Sequence, residues 1–219
     1  MMTEIIKAES LSFDTLLEET SFTVESGSTS IVVTAKEEVD ACLVRLLLGF
    51  IRPASGRLFL FDTDISTFTD RELSAVRQRI GLIYASGGLV SNLKVWENVV
   101  LPLAYSNKFS REQIEQMGLA VLNRLGYSGK LMALPGHIPL FQKRLAGLAR
   151  TMLMDPDLVI YESPLTGLNY NERNQFLRIA REFHLEKPGR TSLFLSSTPE
   201  IVPLLEDARV ITFTQRQSS

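Results

Sequence analysis

Cysteine is nearly missing from this chain: Cys42 is the one thiol among 219 residues, and histidine occurs only as His137 and His184. A lone cysteine closes no internal disulfide, and no Cys/His cluster has the spacing of a metal site, so no staple or metal is expected and a reducing compartment is implied. The two histidines stand isolated and neither is assigned a role. A basic excess is missing too. Lys plus Arg total 23 against 25 Asp plus Glu, a formal charge of -2, which argues against a partner as polyanionic as nucleic acid. Long apolar runs are absent as well: the longest, Ala41 to Ile51, is interrupted by Arg45 and is too short to cross a bilayer. The opening MMTEIIKAESLSF carries acidic residues where a signal peptide would be basic and then apolar. The expectation is a cytoplasmic protein.

What is present is enough apolar material for one sizeable core. The chain is 45% hydrophobic, and at this length a domain buries about 70% of its unfolded surface. No linker, charge block or repeat divides it, so it reads as one unit. Ser21 to Glu25 alternates and Ile31 to Val33 is a β-branched run, which predicts strands in the first third. Val39, Leu43, Leu46, Leu47 and Phe50 recur at helical spacing, with Gly49 and Pro53 marking the stop. Leu58 to Phe61 and Ile80 to Tyr84 read as strands around a short helix, Asp70 to Gln78, opened by an Asp cap. From Lys94 to Gly147 the pattern is helical, with breaks near Pro102, Gly126 and Pro135. Then come strands at Leu158 to Tyr161, Ser192 to Ser197 and Arg209 to Phe213, with a helix over Asn171 to His184. Alternating strands and helices imply an α/β fold with a mostly parallel sheet and a helical insertion.

In order, these segments resemble the ATP-binding subunit of an ABC transporter over nearly the whole chain. The likeness is carried by LVRLLLGFIRPASGRLFLFDTDI from Leu43, RQRIGLIYASGGLVSNLKVWENVVLPL from Arg77 and RLAGLARTMLMDPDLVIYESPLTGLN from Arg144. The middle segment looks most like the ATPases of the MCE-linked, Mla-type lipid-trafficking systems. The resemblance implies a P-loop NTPase (RecA-like) core over 1–86 and 148–219, an N-terminal antiparallel β part, and an inserted α-helical subdomain over 87–147.

The family's ATP chemistry depends on six short motifs, and each departs from pattern here. The phosphate loop needs glycines whose amides wrap the phosphates, a lysine for the β/γ oxygens and a hydroxyl on Mg²⁺. The matching positions are Thr34, Ala35, Lys36, Glu37, Glu38, Val39, Asp40, Ala41 and Cys42, with Asp40 at the lysine and Ala41 at the hydroxyl. Like charges at 4 Å repel by about 4 kcal/mol at an effective dielectric of 20, so Glu37, Glu38 and Asp40 oppose a polyphosphate. Thr34-x-x-Glu37 matches a capping box, and acidic residues suit a helix N-terminus. The anion site therefore reads as a self-capped helix start, with a solvated charged turn as the alternative.

The carboxylate pair that holds Mg²⁺ and activates water matches Glu162 and Ser163, so the base is lost, a group worth about 10²–10⁴-fold in rate. Glu162 reads either as a cation ligand or as a strand-end carboxylate bonded to nearby backbone. The sensing glutamine and histidine match Ala85 and Thr198, and the position of the adenine-stacking aromatic matches Phe13, although a lone Phe beside Leu11 is more often simple core. The signature loop matches Ile138, Pro139, Leu140, Phe141 and Gln142, where bulk and a missing N–H replace glycines. What the family uses for partners is better kept: Gly87, Gly88, Leu89, Asn92, Leu93 and Trp96 fall where a permease docks, with ordinary helix packing as the alternative, and Gly167 and Asn169 where the opposite subunit is met, Asn169 standing in place of the family's Asp and weakening that contact.

Three readings follow. The first is a pseudo-ATPase acting as a structural or regulatory subunit of an ABC transport system, with lipids as the cargo the resemblance suggests, bound to a membrane permease or an active ATPase and dimeric with itself or a homologue. It needs no cofactor. The second is an ATP-hydrolysing subunit of a heterodimer, binding ATP and Mg²⁺ through Lys36 and Glu162. The third is a free cytosolic interaction protein using an apolar surface at Ile138 to Phe141.

Overall fold

The computed structural model describes residues 3–212. Four strands form an antiparallel sheet in the order β2-β1-β4-β5: β1 Glu4–Phe13, β2 Leu17–Glu25, β4 Ser55–Leu60 and β5 Thr63–Asp64. Five more form a parallel sheet in the order β6-β7-β8-β3-β9: β6 Ile80–Ile83, β7 Leu158–Glu162, β8 Thr191–Ser196, β3 Thr29–Val33 and β9 Arg209–Thr212. The last residue expected in that final strand, Phe213, lies outside the described residues. Parallel strands place all their carboxyl ends on one edge. Thr34, Tyr84, Ser163 and Ser197 therefore leave the sheet side by side.

Two hydrophobic cores flank the parallel sheet, and strand alternation divides residues between them. Leu158 and Ile160 of β7 and Leu193 and Leu195 of β8 face a core shared with α1 (Glu37–Leu47) and the antiparallel sheet. Val159, Tyr161 and Phe194 face the other, built with α3 (Val95–Ser106), α4 (Arg111–Arg124), α5 (Leu140–Met154) and α6 (Tyr170–Glu186). Burial on both faces explains why β7 is written LVIY without alternation.

Two sequence expectations are corrected, and one strand was not foreseen. The helix α2 (Asp70–Arg77) is capped by Thr69, not by Asp70: the Thr69 hydroxyl accepts from Glu72 N–H while the Glu72 carboxylate accepts from Thr69 N–H. The expected break at Pro102 is not there. The helix α3 runs through it, giving up one backbone hydrogen bond, because Val99, Val100 and Leu103 around it are buried. Strand β1 had no clear periodic signal, since it bulges between Ala8 and Leu11 with Ser10 at a positive φ. Gly56 of β4 crosses that bulge at φ +83, where a Cβ would sit 2.2 Å from Ser10 O, so only glycine fits.

A buried asparagine fixes the chain between β6 and α3. Asn98, fully buried, accepts from Val90 N–H at 2.7 Å and donates to the carbonyls of Val90, Leu93 and Lys94, each at 3.1 Å. Removing it strands buried backbone groups. Asn98→Ala should cost about 2–3 kcal/mol, measured as a lower urea midpoint, whereas the exposed Asn92→Ala should leave the midpoint unchanged.

Candidate functional site

The site grows out of the carboxyl edge of the parallel sheet. After β3, Thr34 donates its N–H to Ser196 O at 3.0 Å and its hydroxyl to Asp40 Oδ1 at 2.6 Å. The helix α1 begins only at Glu37. Its N-cap is Lys36, in extended conformation and without a side-chain cap. The capping box expected between Thr34 and Glu37 is therefore not formed. Thr34 sits too early in the chain, and its hydroxyl goes to a carboxylate one turn into the helix, a stronger acceptor than a neutral group. Glu37 instead accepts from the Thr166 hydroxyl at 2.9 Å, on the loop after β7. The first turn is acidic as expected, with Glu37, Glu38 and Asp40. It is not simply a solvated turn, because Asp40 has no exposed surface.

Asp40 is the hub. Besides Thr34, the Ser163 hydroxyl donates to Oδ2 at 2.7 Å, and the Ser197 backbone amide also bonds the carboxylate. One side chain on α1 thus ties the ends of β3, β7 and β8. Burial pushes its pKa above the ordinary carboxylate value, the Thr34, Ser163 and Ser197 hydrogen bonds hold it back, and Glu37 adds to the rise. Glu162, half-buried at the end of β7, is raised for the same first reason. The Ala85 amide opposes the rise, while Asp40 and Glu37 reinforce it. Among the described residues no Lys or Arg pairs with Glu37, Asp40 or Glu162, and no acidic or Cys/His cluster could hold a metal ion. Lys36 points to solvent.

The remaining predicted positions fall into three groups. Val39 and Cys42 are core, with Ala41 beside them half-buried. Phe13 packs against the same core and pairs with Leu17 across the β1–β2 turn. Thr198 is exposed, its hydroxyl 3.2 Å from that of Ser196. At the signature positions the structure overturns the idea of an apolar surface: Ile138 and Phe141 are buried in the helical core, Pro139 is the exposed N-cap of α5, and Leu140 is half-buried against Gly167. The Gln142 amide oxygen accepts from the Ser128 and Gly129 amides. Asn169 is taken up locally, capping α6 in a box with Glu172.

The expected docking residues differ in their surroundings. Gly87 and Gly88 press on α5 and Tyr84, Leu89 and Trp96 pack against the helical core, and Asn92 is exposed. A groove of about 840 Å³ lies along the far end of α3, walled by Leu101, Pro102, Tyr105, Phe109 and Leu153, with Arg150 at its side. Tyr105 is 80% exposed there. Sequence reasoning also missed Arg144, which is 1% exposed. Its guanidinium donates to the carbonyls of Ala85, Pro164 and Thr166, and burial lowers its pKa to about 10. The available signal was a charge inside the apolar run RLAGLA.

A carboxyl whose folded pKa exceeds its unfolded value binds more protons when folded. Stability then falls as pH rises from the ordinary carboxylate range through the raised value. Asp40→Asn removes one such group and keeps a polar amide facing the two hydroxyls. In urea melts between pH 4 and 8, its stability relative to the parent should improve as pH rises. A difference independent of pH would contradict the electrostatics described for Asp40.

The geometry can be set beside known proteins. No family model matches the chain. Over 193 residues it is 26% identical to the intermembrane phospholipid transport system ATP-binding protein MlaF of Haemophilus influenzae, covering 88% of this chain and 73% of that protein. It is 28% identical over 195 residues to the methionine import ATP-binding protein MetN 1 of Rhodopseudomonas palustris, spanning 87% of this chain and about half (51%) of that relative. Among solved structures it superposes on cbiO1 of Clostridium perfringens, part of the ABC transporter complex cbiONQ, with TM-score 0.79, 20% identity and coverage of 96% and 84%. It also matches the dimeric MJ0796, a bacterial ABC transporter cassette, with TM-score 0.81, 17% identity and coverage of 95% and 94%. The chain has the fold of an ABC transporter nucleotide-binding domain, and its sequence is similar to those of ABC transporter ATP-binding subunits, a Mla-type lipid-transport ATPase among them.

Proposed function

We propose that this chain is a pseudo-ATPase, an ABC-type subunit that serves a transport system structurally or by regulation and does not hydrolyse ATP. The observation that carries the reading is Asp40. Where the family places a lysine, this chain has a buried carboxylate whose oxygens are already taken by Thr34, Ser163 and Ser197. The donors that would greet a phosphate are turned onto the protein's own acid. Glu162 beside it faces carboxylates, and Ser163 supplies no base. These residues do not fit a magnesium triphosphate.

The partners implied are a membrane permease, an active ATPase subunit, or both, with the chain acting as a dimer with itself or a homologue. No described helix is long and apolar enough to cross a membrane, so placement at the inner face of the membrane comes through the permease. The likeness to a phospholipid transport protein favours lipid as cargo of the system. The organisation proposed is a core over 1–86 and 148–219 with the helical part, 87–147, inserted. Residues Gly87, Gly88, Leu89, Asn92, Leu93 and Trp96, with the apolar groove beyond them, form the permease side, and Gly167 and Asn169 the dimer side.

A second reading is favoured by the relatives, which are named ATP-binding proteins: an ATP-binding subunit completed by an intact partner. Thermal melting with Mg-ATP separates the two, since a ligand at 100 times its Kd adds about 2.7 kcal/mol of stability. The pseudo-ATPase should show no shift, and the chain should copurify with a permease from its native membrane. A rise in melting temperature with Mg-ATP decides for the second reading.

A further inference from the structure

The loop 84–88, which leads from β6 toward α3, is fastened to one face of α5 at three successive points. Arg144 Nε donates to Ala85 O at 2.7 Å. Gly147 lies so close that a Cβ on it would be 2.4 Å from Gly87 O. Arg150 Nη2 donates to Gly88 O at 2.8 Å. Residues three apart share one side of a helix, so 144, 147 and 150 make a single seam. The loop is shaped to meet it: Gly87 has φ +89, and a Cβ there would sit 2.7 Å from the Lys143 backbone. The loop is also held from behind, because the Ala85 amide bonds the Glu162 carboxylate.

The same guanidinium reaches the neighbouring loop. Arg144 Nη1 and Nη2 donate to Pro164 O and Thr166 O, and the Thr166 hydroxyl goes on to Glu37 of α1. Arg144 therefore joins the loops after β6 and β7 to the helical part of the chain through groups of the protein alone. A buried arginine with no carboxylate partner is costly to desolvate, so its position is set by the three carbonyls it satisfies.

We propose that Arg144, Gly147 and Arg150 form a built-in clamp on loop 84–88, fixing the helical part of the chain in one attitude on the parallel sheet with or without nucleotide. Arg144 is a positioning residue. Its role needs the planar fork, since a lysine ammonium at this site reaches one carbonyl in place of three. The clamp is drawn from α5 and its loops, and it stands independently of the pseudo-ATPase reading.

Amide hydrogen exchange on the full chain tests it. In the parent, the Gly87 and Thr166 amides, bonded to Tyr84 O and Ser163 O, should be protected and should exchange at the same rate with and without Mg-ATP. Arg144→Lys should speed their exchange about tenfold or more while the β1–β2 pair keeps its parental rates. Gly147→Ala, which pushes Gly87 away without altering charge, should do the same and gives the answer should the lysine variant not fold. Unprotected amides in the parent, exchange that changes with Mg-ATP, or parental rates in the folded variants would each overturn the clamp. A melting shift with Mg-ATP accompanied by unchanged exchange would end the pseudo-ATPase reading and leave the clamp standing.

Discussion

The carboxyl edge of the parallel sheet is held together by one buried acid. Asp40 accepts from the residues that end or follow β3, β7 and β8, and strands joined only by their ladders would leave those loops free. Hydrogen bonds to a charged acceptor contribute about 1.5–3 kcal/mol each, against about 0.3–1 kcal/mol for a carboxylate near a helix N-terminus. The specific bonds therefore outweigh the dipole. Thr34, Ser163 and Ser197 decide where Asp40 sits, and the field of α1 adds a smaller increment.

The backbone at Ser163 shows what this arrangement demands. Ser163 is buried at φ +42, a region that costs a non-glycine residue about 1–2 kcal/mol. Its N–H is bonded to Leu195 O at 2.9 Å and its hydroxyl to Asp40. A glycine would relieve the backbone and lose the hydroxyl, so the serine is kept in its turn by the bond it makes. The same turn carries the chain from β7 into the loop that Arg144 grips at Pro164 and Thr166. Acid hub and arginine clamp are thus joined through four residues.

How much of this could be read beforehand follows from the kind of signal each part leaves. Strand β7 and helix α1 were visible because continuous burial and helical spacing write themselves into runs of apolar residues. The acidic first turn of α1, with Glu37, Glu38 and Asp40, was visible because position and charge were enough. Its partners were not: Thr34 reads as a cap from spacing alone, and nothing local reveals that Asp40, six residues on, will be buried within reach of Ser163. Asn98 and Arg144 look like surface residues in the sequence, since a polar side chain that satisfies buried carbonyls is indistinguishable from one that meets water. The apolar surface expected at Ile138 to Phe141 failed for the converse reason. Ile138 and Phe141 are apolar in either role, and only the packing of α5 turns them inward.

The two buried groups pull in complementary directions, and that bears on how the fold tolerates them. Burial and the neighbouring carboxylates, without a paired cation, raise the cost of ionising Asp40 and Glu162. Arg144 has the opposite case: its pKa is pushed down by burial and supported by Glu172 and Glu37. Arg144 bonds backbone and not carboxylate, so the positive charge is fixed by geometry. Here both signs are supplied by the chain, in places that direct its donors and acceptors toward one another, which gives the edge of the sheet a fixed shape from its own residues.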